Sequence, residues 1–176
     1  NENDFLYRNN GNGTFTKITT GPIVNDASYG RGCAVGDYDN DGWTDIFVAC
    51  YQGQADRLYK NNGNGTFSLM NGNIPVDNGW GSGGAFGDYD NDGNKDLVVG
   101  GNNNILTLLT GKGDGTFALS TIASPAGVSY LRGKAAAAFN NDGKLDLVVG
   151  TYHSGSQYLY LGNGNGTFAS PSLIAN

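Results

Sequence analysis

The chain has 176 residues, of which 30 are Gly, 23 Asn and 15 Asp, against a single Glu and a single Met. One domain of ordinary size fits that length, and the shortage of helix formers argues against a helical bundle or an alternating βα fold. A net charge of −6 and a pI near 4.4 disfavour nucleic acid as a partner, and 38% hydrophobic residues, regularly placed, disfavour disorder.

In chain order, a first pair of short strands falls near Phe5 to Tyr7 and Phe15 to Ile18, joined by the turn Asn-Gly-Asn-Gly-Thr-Phe that ends at Phe15. Gly and Asn there supply the positive φ a tight hairpin needs. The same string ends at Phe67 and Phe168, and a Lys-Gly-Asp-Gly variant ends at Phe117, so the steps are 52, 50 and 51 residues. Leu6, Leu58, Leu108 and Leu159 each lie nine residues before the marker Phe. Between these markers run a tight small-residue strand A (Gly32 to Gly36, Gly84 to Gly87, Ala135 to Phe139), an Asp-rich loop, and a β-branched strand B (Asp45 to Val48, Asp96 to Val99, Asp146 to Val149). Strand C carries the Leu markers, and strand D starts at Thr-Phe. Four strands at a period near 50 mark a propeller blade, and small residues in strand A suit strands converging on a channel. The expected fold is therefore all-β: a propeller segment of four-stranded antiparallel blades, about three and a half in number. Residues 1–28 form a half blade with strands C and D, and 29–79, 80–129 and 130–176 form three blades.

The Asp-rich loops read as metal sites. Asp37, Asp39, Asp41 and Asp45 stand at loop positions 1, 3, 5 and 9, with Gly42 for the sharp turn and the Trp43 carbonyl as a further ligand. Asp88, Asp90, Asp92, the Asn94 carbonyl and Asp96 repeat the set. Clustered carboxylates repel unless a cation joins them, and hard oxygen ligands in a flexible loop suit Ca²⁺. An EF-hand is excluded, because it needs a Glu at position 12 between helices. The third loop has Ala138 at position 1, leaving Asn140, Asp142, the Lys144 carbonyl and Asp146 as a weaker site. Two Ca²⁺ would bring the net charge from −6 to −2 and a third would bring it to zero. The competing explanation is a metal-free Asp/Asn/Gly hairpin.

The stretches Ala34-Val35-Gly36-Asp37 to Asp45 and Ala85-Phe86-Gly87-Asp88 to Asp96 resemble the FG-GAP/VCBS repeats of integrin α-subunit-type propellers, over nearly the whole chain. The resemblance implies a calcium-stabilised β-propeller, usually seven-bladed, extracellular or periplasmic, used in adhesion, carbohydrate binding or as part of larger secreted proteins. It also implies that the Asp loops lie on one face and the D–A and B–C loops, which carry ligand contacts, on the other. Three and a half repeats do not close a seven-bladed ring. The expected partners are therefore the rest of a longer propeller or other copies of the chain, in a dimer or head-to-tail filament, with glycans or an extracellular protein as further partners. No apolar stretch approaches the ~18 residues that cross a membrane. No basic segment precedes an apolar one, so a secreted chain would be mature or excised.

On the loop face an aromatic recurs before strand A at Tyr29, Trp80 and Tyr130, followed by Arg31 and Arg132 in the outer units. The B–C loops add Tyr51, Gln52, Asn102, Asn103, Tyr152 and His153. Such aromatic and polar groups fit a sugar site, and equally fit packing between blades. No catalytic triad or paired-Glu arrangement can be assembled. The expectation is a non-catalytic module, with a lectin as one alternative and a fragment of a propeller polysaccharide lyase, using Tyr152 and His153, as another. The glycosylation-like Asn12, Asn64 and Asn165 are explained as turn residues, since Asp114 takes the same slot. Finally, a hairpin centred near Asp41 sets Cys33 opposite Cys50, and their counterparts Gly84 and Gly101 are both small. We therefore expect a cross-strand disulfide, as in an oxidising compartment, against two buried thiols.

Overall fold

The computed structural model describes residues 4–70, 74, 81–101, 104–128, 130–152 and 155–175. Trp80, Asn102, Asn103 and His153, and the boundary between 79 and 80, lie outside the described residues.

Among the described residues, fourteen strands form one hairpin and three four-stranded antiparallel sheets. The hairpin pairs β1 (Leu6–Asn9) with β2 (Phe15–Ile18). The first sheet is β3 (Gly30–Gly36), β4 (Asp45–Cys50), β5 (Arg57–Asn61) and β6 (Phe67–Met70). The second is β7 (Gly84–Gly87), β8 (Asp96–Gly100), β9 (Leu106–Gly111) and β10 (Phe117–Ile122). The third is β11 (Leu131–Ala137), β12 (Asp146–Thr151), β13 (Gln157–Tyr160) and β14 (Ser172–Ala175). Each sheet runs in chain order as strands A to D, so the segment holds three blades and a half, and the sheets do not close a ring.

No blade has a core of its own. Phe47 and Ala49 of β4 point into a cluster with Leu97, Val99 and Leu109 of the second blade, while Val48 and Cys50 point the other way, to Ile23 and Val24. Val98 of β8 likewise faces Leu131, Leu147 and Val149 of the third blade. In the first two blades strand B is thus covered on both sides, which is why its sequence is a continuous apolar run rather than an alternating one. Strand A is small because adjacent A strands nearly touch: a Cβ on Gly32 would lie 3.0 Å from the Gly83 Cα, and one on Gly36 would lie 2.7 Å from the Phe86 ring.

Two expectations are corrected. The A–B ladder pairs Gly36 with Asp45, so Cys33 faces Val48, and a register shift between Gly30 and Gly32 sets Cys50 against Gly30. The hairpin centre falls one residue earlier than the sequence suggested. Cys33 and Cys50 are therefore both free thiols, Cys33 exposed and Cys50 buried. Burial pushes the Cys50 thiol up to about 11. The last strand D also starts later than Phe168, which makes only an isolated bridge with Gly162. Pro171, with no N–H to give a ladder, precedes the strand at Ser172.

Candidate metal centres

The three Asp loops share one backbone path. Position 4 is left-handed at Asn40 (φ 57°), Asn91 (61°) and Asn141 (60°), and position 6 at Gly42 (89°), Gly93 (90°) and Gly143 (80°). Asn tolerates that region better than other side chains do, and glycine adopts it freely. Position 1 folds the turn: Asp37 accepts the Asp41 and Gly42 N–H groups at 3.1 and 2.9 Å, and Asp88 accepts those of Asp92 and Gly93, both at 3.1 Å. Position 5 caps the next step: Asp41, Asp92 and Asp142 accept the N–H of Trp43, Asn94 and Lys144 at 2.8–2.9 Å. In the third loop Ala138 cannot do this work, and Asn140 accepts the Asp142 N–H at 3.0 Å.

Position 9 has a role the sequence did not disclose. Asp45, Asp96 and Asp146 are completely buried. One oxygen of each accepts the backbone N–H of position 2 (Tyr38, Tyr89, Phe139) at 2.7–3.1 Å. The other accepts an N–H at the end of strand C (Asn61, Gly111, Gly162) at 2.7–2.9 Å. Each carboxylate clasps the Asp loop to the C–D turn of its own blade. The third blade keeps this clasp where position 1 is lost.

Oxygens of Asp37, Asp39 and Asp45 lie within 4.8 Å of one another, as do those of Asp88, Asp90 and Asp96. Among the described residues these are the acidic groupings of three. Asp39 Oδ1 is buried with no hydrogen-bond partner, an atom positioned to take a cation. Burial pushes the Asp96 carboxyl up to about 6 and raises those of Asp45 and Asp90. Each is a cost of ionisation that a bound cation would offset. Chemically, the donor set is all oxygen, as Ca²⁺ prefers. Asp41 and Asp92 are not among the grouped three. The Lys60 ammonium pairs with Asp41 at 2.5 Å and also with Asp39, and its hydrogen bond holds the Asp41 carboxyl below its ordinary range. Asp92 is lowered by the Asn94 backbone and side-chain amides. The counterparts of Lys60 in the other blades are Thr110 and Leu161, which carry no charge.

Successive loops interlock. Asn40 donates to Asn94 Oδ1 at 2.6 Å, and Asn91 donates to the Gly164 carbonyl at 3.3 Å. Tyr38 stacks on Phe117 at 5.8 Å between centroids, and Tyr89 meets Phe168 edge-on at 5.6 Å. The marker Phe of one blade therefore receives position 2 of the preceding Asp loop.

The opposite edge gathers the aromatic residues. Arg31 lies 3.5 Å from the Tyr51 ring centroid and Arg132 lies 4.4 Å from that of Tyr152. The N–H groups of Tyr51 and Tyr152 bond to the Tyr29 and Tyr130 carbonyls at 3.0 and 3.1 Å. Gln52 is exposed in a left-handed turn next to Tyr51. Sequence reasoning counted Gln54 and Asn104 only as polar B–C loop residues; Gln54 accepts the Tyr29 N–H at 2.7 Å and Asn104 that of Tyr130 at 3.0 Å. It missed Lys134, whose ammonium bridges Ser82 Oγ and the Gly100 carbonyl at 3.0 and 2.9 Å, tying the second blade to the third. Among the described residues no helix is long and apolar enough to cross a membrane.

No curated protein gives a significant match to this chain. The model of the FG-GAP-like repeat matches four times in succession, over residues 1–48, 37–99, 88–149 and 139–175. These matches span the same period as the blades, and the chain belongs to the FG-GAP-like repeat family.

Proposed function

We propose that this propeller-type repeat module is a secreted, Ca²⁺-stabilised, non-catalytic unit of extracellular or periplasmic recognition, adhesion or assembly. The observation that carries the reading is the pair of carboxylate clusters at Asp37/Asp39/Asp45 and Asp88/Asp90/Asp96, one of them holding the unpartnered buried oxygen of Asp39. Asp41, Asp92 and the carbonyls of Trp43 and Asn94 would complete the coordination, and the third loop, with Asn140, Asp142, Lys144 and Asp146, would bind more weakly. Binding should stabilise the fold by mass action, about 2.7 kcal/mol for each site at a hundredfold excess over Kd. Calorimetric titration of the chelated protein tests this. Two Ca²⁺ per chain are expected, falling by about one in Asp39→Ala and again in Asp90→Ala. A melting temperature indifferent to EDTA would defeat the calcium reading.

A second reading, a lectin, is favoured by the Arg31–Tyr51 and Arg132–Tyr152 pairs on one edge. Tyr152 is 61% exposed and so available to a sugar ring. Glycan-array binding that disappears in Tyr152→Ala but survives in Asp39→Ala would establish it. Turnover of uronate polysaccharides is not expected, and a direct eliminase assay checks that.

A further inference from the structure

Strand D is regular in the first two blades and broken in the third. β10 pairs with β9 residue by residue from Phe117 to Ile122, and β6 pairs with β5 from Phe67 onward. In the third blade Phe168 makes only a bridge to Gly162, Ala169 donates its N–H to the Leu161 carbonyl at 2.8 Å, and the ladder resumes at Ser172. Pro171, the counterpart of Ser120, stands in the gap and has no N–H to pair. Between this stretch and the end of β10 lies a groove of about 320 Å³, lined by Ser120, Thr121, Tyr160, Phe168, Ser170 and Pro171 among others.

The floor of this groove carries an unsatisfied donor. Tyr160 is 1% exposed, and its hydroxyl is buried with no hydrogen-bond partner among the described residues. The same position in the first blade is Tyr59, whose hydroxyl donates to Asp26, and Arg57 Nε lies 3.2 Å from that carboxylate. Tyr29 and Tyr130 fix the offset between these blades at 101 residues, which puts Gly127 where Asp26 stands and Tyr158 where Arg57 stands. The third blade therefore has the donor without the acceptor. Burial pushes the Tyr160 hydroxyl up to about 12, so it stays protonated and able to donate.

We propose that this groove between the second and third blades binds a neutral, polyhydroxylated ring, a single sugar unit of a glycan. A charged ligand finds no counter-ion there, because among the described residues that line the groove none but Tyr160 is ionisable. A purely apolar ligand would leave the Tyr160 hydroxyl unpaired and would cover the hydroxyls of Ser120, Thr121 and Ser170. A sugar ring suits both kinds of wall. Its oxygens accept from Tyr160 and exchange hydrogen bonds with the three aliphatic hydroxyls, while its C–H face lies against Phe168 and Pro171. The Phe168 ring is set for this by Tyr160, which it meets edge-on with 6.3 Å between centroids. A volume of about 320 Å³ stands at the lower end of the roughly 300–1,000 Å³ range of small-molecule sites, which limits the occupant to a small one. The groove shares no residue with the Arg31–Tyr51 and Arg132–Tyr152 pairs or with the carboxylate clusters, so it depends on neither.

The test is titration of the isotope-labelled full chain, followed by amide NMR, with the methyl glycosides of glucose, galactose, mannose and N-acetylglucosamine, and with glycerol as a polyol that lacks a ring face. At least one glycoside is expected to shift the amides of Thr121 and Ser170 with a Kd on the order of 1 mM, and glycerol to shift neither. Tyr160→Phe deletes the donor alone. It should weaken that binding about three- to tenfold and melt at or above the parent temperature, because no internal hydrogen bond is lost. Ser170→Trp, at an exposed position on the rim, should abolish the binding in a folded chain. If that variant does not fold, Thr121→Trp, also exposed, closes the groove from the opposite wall. Absence of a shift at Thr121 and Ser170 with every glycoside would overturn the proposal, as would equal shifts with glycerol. So would binding that Tyr160→Phe and the tryptophan variant both leave intact. A Tyr160→Phe chain that melts below the parent would overturn it as well, because the hydroxyl would then already have a partner.

Discussion

The position-9 aspartates separate structure from metal binding within one motif. Among the described residues no grouping of three acids includes Asp146 of the third blade, yet it accepts the Phe139 and Gly162 N–H groups from full burial. Asp146→Ala leaves two buried donors unpaired and is expected to cost roughly 2–5 kcal/mol in urea unfolding. Lys60 illustrates the opposite case, a cation standing where the first loop would take metal. Lys60→Ala is expected to tighten Ca²⁺ binding at the first loop roughly two- to tenfold and leave the second loop unchanged, measured by titration of each site in the Asp90→Ala and Asp39→Ala backgrounds. Protonation gives a further check. The folded-state pKa of Asp96, about 6, lies above its ordinary 3.8. Its stabilising contribution is therefore full below the lower value and lost as pH rises through the upper one. The raised carboxyls of Asp45 and Asp90 act in the same direction. Those of Asp41, Asp92 and Asp142 are lowered by hydrogen bonds, so their contribution changes only below the ordinary carboxylate range. Chelated protein should then melt higher at pH 5 than at pH 7, and saturating Ca²⁺, which favours the ionised form, should reverse that order.

At the scale of the strand, glycine is placed by close approach more than by flexibility. A Cβ on Gly111 would lie 2.2 Å from the Lys95 carbonyl oxygen, and one on Gly162 would lie 2.0 Å from that of Leu145. These contacts hold the C–D turn against the Asp loop where the position-9 carboxylate receives its second N–H. Gly111→Ala and Gly162→Ala are each expected to cost about 1–3 kcal/mol. Gly133→Ala, with nothing within 4 Å of the new methyl, should stay within about 0.5 kcal/mol; thermal unfolding of the three variants compares them. The strands themselves were legible because their signals are local: β-branched runs, Asn-Gly turns and the Leu markers. The register of the A–B hairpin was not. A shift of one residue in its centre, together with the irregularity between Gly30 and Gly32, moved Cys33 opposite Val48 and removed the disulfide. Native protein should accordingly show one reactive thiol and unfolded protein two.

Across the whole molecule, stability is a sum over interfaces between blades, and the two ends are unequal. Val35 on the blade 1 face beside β1 is 59% exposed among the described residues, and Phe139 is 49% exposed where Tyr38 and Tyr89 are buried against the next blade's Phe. Repeat arrays of this kind lose terminal units first. Hydrogen exchange should therefore be fastest in β1 and β2 and slowest in β8 and β9, whose residues are almost wholly buried.

The period near 51, the strand count, the Asp positions and the family followed from the sequence alone, because each is written in neighbouring residues and repeated often enough to be unmistakable. The loop face was half legible: the family resemblance implied a common face for Tyr29, Arg31 and Tyr51, but not the stacking of guanidinium on ring or the grip of Gln54 and Asn104 on the chain. Only the tertiary structure decided which carboxylates cluster, which of them clasp backbone, and where Lys60 reaches, since those depend on strands C and B meeting across 15 or 16 residues of chain. It alone decided the fate of the cysteines. A register belongs to the pairing of elements, and no residue in either partner encodes it by itself.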